Sequence, residues 1–163
     1  MNVIYIACTL VVVVCVFYLA TTYFKINKIK PDDTYLSSLP IKIISINGKN
    51  YDIWIVEDED KRQRGLMYVK DMKKTSGMLF IFDSTSIYPI WMKNTVIPLD
   101  IIWISEEGNV VFIKENAKPC DSTIDALCHT IIPTSPARFI LELNAGQVQK
   151  LGLKVGENIN FKQ

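Results

Sequence analysis

Hydrophobic and polar positions divide the chain into two unlike parts. From Val3 to Phe24 it reads VIYIACTLVVVVCVFYLATTYF, whose only polar side chains are hydroxyls and two thiols. At 1.5 Å per helical residue this run spans about 33 Å, close to the roughly 30 Å of a bilayer's hydrocarbon core. In lipid every backbone group must be bonded within the segment, which favours helix even for the four valines Val11 to Val14. The pattern therefore predicts a transmembrane anchor over residues 1–24. A cleaved signal peptide would carry a basic start and a small-residue cutting site; neither is evident here. Residues 25–40, with Pro31, Asp32, Asp33, Ser37, Ser38 and Pro40, have no sustained period and read as a linker.

From residue 41 the pattern is that of short strands. Residues 41–47 and 51–57 flank Asn47-Gly48, the dipeptide suited to a tight hairpin turn. Asp58 is placed to cap a short helix over Glu59 to Met67, with Arg62 and Arg64 near its Gly65 end. Further strands are predicted at 78–82, 87–92, 97–104 and 110–115, the last two antiparallel across the turn at Ser105 to Asn109. Pro89 and Pro98 confine their segments to strand starts, edges or bulges. A long loop over 116–137 precedes a strand at 138–143, a helix capped by Asn144 and running to Leu151, and a closing strand at 158–161. The expected fold of residues 41–163 is a β-rich α+β domain: a curled antiparallel or mixed sheet, or a small barrel, with two short helices.

Charge changes the picture only by its distribution. Lys and Arg number 18 against 17 Asp and Glu, for a net charge of +1, and all of them lie beyond residue 24. Such a body has no electrostatic case for binding nucleic acid, so the membrane, through the leader, is the expected partner. There is no P-loop, dinucleotide fingerprint or His-Glu-x-x-His pattern, so no cofactor and no metal are expected. Lys25, Lys28 and Lys30 after the leader argue for a cytoplasmic body, in conflict with the cysteines discussed below.

Several motifs stand in order along the body: Arg64-Gly65-Leu66-Met67, Gly77 to Phe82, Trp91-Met92-Lys93-Asn94-Thr95, Ile97-Pro98-Leu99-Asp100-Ile101 and an ending through Leu141-Glu142-Leu143, Ala145-Gly146 and Leu151 to Gly156. Through them the chain, from about residue 41 to 162, resembles the DUF192 family of uncharacterised prokaryotic proteins. The resemblance implies a compact β-rich domain, often behind a signal or anchor segment, and commonly a Pro-Cys and a second Cys in the loop that here holds Cys120 and Cys128. His129 departs from the family, which often has Pro at that place.

Cys120 and Cys128 can be read as a disulfide, as two thiols, or with His129 as soft metal ligands, although C-x7-C-H is not a standard zinc spacing. The disulfide is the expectation, and with the family's habit it argues for a periplasmic or otherwise extracytoplasmic body. Met67, Met72, Met78 and Met92 could offer thioethers to copper, but three of them lie in apolar segments and suit core packing. Lys93, Asn94 and Thr95 place a cation, an amide and a hydroxyl at the end of an apolar strand beside Trp91. Together with Arg64 and Asp100 they form the candidate site for a small, anionic ligand. Pairing of Asp100 and Asp83 with Lys93 and Arg64 would instead make these residues structural.

The expected function is thus a membrane-anchored domain that binds a small ligand or a partner and is not an enzyme. One alternative is an enzyme acting on a small anionic or carbohydrate substrate through Arg64, Lys93, Asn94 and Asp100. Another is a structural interaction module of a membrane assembly.

Overall fold

A computed structural model of the chain describes residues 14–18, 33–120 and 128–160. Residues 14–18 are helical, and the rest of the expected anchor lies outside the described residues, as do residues 25–32 of the linker. Among the described residues no helix is long and apolar enough to cross a membrane.

Residues from Asp33 onward form one compact unit. Its first element, α1 (Asp33–Ser37), falls within the segment expected to be a tether. Leu39 is buried, and Tyr35 and Leu36 pack against the same cluster, so the body's packing begins before residue 41. The hairpin forms as expected: β1 (Ile41–Ile46) pairs antiparallel with β2 (Lys49–Val56). Asn47 and Gly48 take φ of 46° and 77°, the left-handed pair that matches a hairpin's twist.

Helix α2 (Glu59–Arg64) is shorter than the pattern suggests, because the backbone turns out of the helix at Gly65. Asp58 occupies the cap position, but its side chain makes no capping bond; its carboxylate lies 2.6 Å from the Lys61 ammonium instead. Strand β3 (Ser76–Ser86) is longer than expected and runs parallel to β2. After Pro89 only a two-residue β4 (Ile90–Trp91) follows, then β5 (Leu99–Ile104) directly after Pro98. β6 (Val110–Ala117) pairs antiparallel with β5 as predicted. β7 (Thr130–Ile131), inside the expected loop, pairs with β4 in a separate two-stranded ribbon.

Strand β8 (Ala137–Asn144) lies between β3 and β5 and pairs antiparallel with both. The main sheet therefore has the order β1-β2-β3-β8-β5-β6, mixed and open, with β1 and β6 as edges; it is not a closed barrel. Helix α3 (Gln147–Leu151) is preceded by Gly146 rather than capped by Asn144. The Asn144 amide donates to the Met72 and Lys73 carbonyls, 3.2 and 2.9 Å away, and anchors that loop. At the chain's end Asn158 makes only an isolated bridge to Asn109; Phe161, the last residue of the expected closing strand, lies outside the described residues.

The two-residue period of the strands sorts their side chains onto two faces. One carries Ile53, Ile55, Leu79, Ile102, Leu141 and Leu143 beneath Val148 and Leu151 of α3. The other carries Val56, Met78, Phe80, Ile101, Trp103 and Ile140 beneath Leu39, Leu66 and Met92. Met72, Met78 and Met92 are buried in this second cluster, in keeping with packing.

Candidate functional site

The second face is incompletely covered, and the gap is a concave pocket of about 430 Å³. Its wall starts at the end of α2, where Arg64 is the last helical residue and Gly65 takes φ of 47°. A Cβ on Gly65 would lie 3.3 Å from the Phe80 ring, so glycine serves both the turn and the close approach. The chain continues through Met67 to Tyr68, whose N–H donates to the Asn94 carbonyl at 2.8 Å.

That bond joins the first wall to the second, the turn Lys93-Asn94-Thr95. Asn94 has φ of 56°, and the Thr95 N–H closes the turn on the Met92 carbonyl at 3.1 Å. Cys120 secures the other side: its carbonyl accepts the Asn94 N–H at 2.8 Å, and its N–H donates to the Thr95 carbonyl at 3.1 Å. Cys120 is bonded to Cys128 as a disulfide, so neither thiol remains to bind a metal. The Trp91 indole N–H donates to the Cys128 carbonyl at 3.1 Å. The disulfide-bonded Cys120 and Cys128 thus hold both Trp91 and the polar turn.

Four of the five sequence-predicted residues, Arg64, Lys93, Asn94 and Thr95, line this pocket. The Arg64 guanidinium lies 3.9 Å from the centre of the Tyr35 ring and the Lys93 ammonium 4.8 Å from that of Trp91, cation–π distances that fix both charges at the walls. Arg62 also borders the space, but its guanidinium donates to the Glu57 and Ile81 carbonyls and stands over Phe82.

Asp100 does not join them. On β5, Ile101 faces the pocket side, so its neighbour Asp100 points to the opposite face of the sheet. There its carboxylate accepts the backbone N–H of Asn116 at 2.9 Å and of Val148 at 2.8 Å, capping α3 from the sheet. The proposed Arg64/Lys93/Asn94/Asp100 cluster is therefore not assembled, and Asp100 has a structural role.

The carboxyl among the described lining residues is Glu142, which stands apart in sequence from the clustered polar residues. It sits midway along β8, opposite Met78 of β3 on one side and Ile101 of β5 on the other. It lines the pocket yet is only 5% exposed. Its neighbours across the sheet are apolar, and burial pushes its acid up to about 8. Tyr35 is raised as well, first by burial, with Arg64 opposing and Glu142 adding to the shift. The sequence signal was a lone acid on the alternating strand Arg138 to Leu143, where Ile140 and Glu142 share a face.

Comparison with solved structures finds two similar chains. A proposed transcription regulator from Sinorhizobium meliloti 1021 is 35% identical, with 74% of this chain and 90% of that one covered at a TM-score of 0.62. A protein of unknown function from Novosphingobium aromaticivorans DSM 12444 is 28% identical, with 75% and 84% covered at a TM-score of 0.64. No curated protein matches the chain. The DUF192 profile, described as "Uncharacterized ACR", matches residues 42–161, which include both walls of the pocket and Glu142, and the chain belongs to that family.

Proposed function

We propose that the body of this protein is a binding domain for a small anionic ligand, tethered to a membrane by its N-terminal segment and facing away from the cytoplasm. The observation that carries the reading is the convergence of Arg64, Lys93, Asn94 and Thr95 on one concavity whose floor is a buried carboxyl. A pocket of this size with a few convergent polar groups suits a metabolite-sized ligand, and the two cations supply charge-assisted hydrogen bonds to an anion. The disulfide supports an oxidising surrounding for the body. The net charge of +1 supports a reading without nucleic acid, so the designation of the Sinorhizobium relative is not transferred.

Binding is favoured over hydrolysis by the pocket's composition. Glycoside hydrolysis generally uses a pair of carboxyl groups flanking the bond, whereas Glu142 is the single one among the described lining residues. The double variant Arg64→Ala/Lys93→Ala tests the proposal. The expected result is loss of a co-purifying small molecule, read by native mass spectrometry, with the melting temperature within a few degrees of the parent. A large fall in melting temperature with ligand retained would show that the two cations are structural.

A further inference from the structure

The floor of the pocket goes beyond a generic anion site. We propose that the pocket is a proton-linked oxyanion site, in which Glu142 in its acid form donates a hydrogen bond to a ligand oxygen held by the charges of Arg64 and Lys93. The inference rests on the binding reading above and adds the ligand class: an oxyanion that only accepts hydrogen bonds, such as a sulfate, sulfonate or carboxylate group.

On the sheet Glu142 is flanked by Met78 and Ile101, which cannot solvate a charge. Of the charged and titratable groups on the surrounding elements, α1 contributes Tyr35, the end of α2 contributes Arg62 and Arg64, the turn contributes Lys93, and β8 itself contributes Arg138 on the same face. Arg62 is bonded to backbone carbonyls, Arg64 lies over Tyr35, and Lys93 lies over Trp91. Arg138 reaches toward Glu106, 3.6 Å away. Glu142 is therefore a buried carboxyl at the floor of a cavity, between apolar strand neighbours. An ionised group there would bear an uncompensated desolvation cost and would repel an incoming anion. The protonated acid removes both problems and supplies a donor where the ligand needs one.

Linkage gives the sign. If the bound state requires the proton, affinity is flat while free Glu142 is protonated and falls about tenfold per pH unit once it ionises, which for this group begins near 8. Sulfate and acetate are suitable probes because neither titrates between pH 6 and 9.5. On the intact domain, calorimetry or amide chemical-shift titration should show nearly constant affinity up to about pH 7.5 and a fall of about thirtyfold by pH 9.5 for at least one probe. Near pH 9, binding heats measured in two buffers of different ionisation enthalpy should report close to one proton taken up. The variant Glu142→Gln, which keeps a donor but cannot ionise, should bind with no such fall. Affinity that is level to pH 9.5 in the parent, or a fall that survives in Glu142→Gln, overturns the proposal. The parent profile alone decides the matter if the variant fails to fold. Failure of both probes to bind at any pH overturns the anion-binding reading itself, and this inference with it.

Discussion

Asp100 and Glu142 are both buried acids on central strands, one residue out of phase with each other across the sheet. Asp100 meets two backbone N–H groups, while Glu142 meets apolar neighbours and a cavity. Replacing Asp100 with Ala leaves the Val148 and Asn116 N–H groups without their acceptor. A destabilisation of roughly 2–4 kcal/mol is expected from the loss of two charge-assisted bonds, measurable as a shift of the urea midpoint. Glu142 has the opposite sign of pH dependence from an ordinary paired carboxylate. It holds its proton to about 8 in the fold against 4.5 as a free side chain. The folded state therefore carries the extra proton between those values, and stability falls as pH rises through them, by up to about 1.4 kcal/mol per unit. Urea unfolding from pH 4.5 to 8 should show this decline, and Glu142→Gln should flatten it.

Among the elements, the turn Lys93-Asn94-Thr95 depends on partners distant in sequence. Its bonds run to Tyr68 and to Cys120, and Cys120 is held in turn by Cys128. Replacing both cysteines with Ser frees a loop closed across a separation of eight residues. The loop-entropy relation gives a cost of about 2–3 kcal/mol. The more specific expectation is local: hydrogen exchange at the amides of Asn94, Thr95 and Cys120 should accelerate more than that of the β3 and β8 core. Uniform acceleration would mean that the bond supports the whole domain and not this wall. Gly65 makes a related prediction for the other wall. Gly65→Ala forces a Cβ against Phe80 at a positive φ and should cost roughly 1–3 kcal/mol. The hairpin, the antiparallel β5–β6 pair and the start of β5 after Pro98 were legible because turn chemistry is local. The failure of Asp58 and Asn144 to cap their helices was not legible, since Asp58 is drawn to Lys61 and Asn144 to the loop at Met72.

For the whole molecule, the proposed orientation can be read on intact cells. In a Cys8→Ser/Cys15→Ser background, an impermeant thiol reagent should label Cys120 and Cys128 only after reduction; two thiols that are shielded from the reagent and already reduced would overturn the proposed extracytoplasmic body. By itself, the sequence determined the division into an apolar leader and a charged body, the strand-rich character of that body, its family and most of its polar residues of interest, because periodicity, turn residues and motifs are local quantities. Only the tertiary structure decided that β2 and β3 run parallel, that β8 inserts between β3 and β5, and which acid faces the pocket. The reason is physical: alternation along a strand says that two neighbours face apart, but which face meets solvent, a helix or a cavity depends on what covers the sheet. That covering put Asp100 under α3 and left Glu142 at the floor of the site.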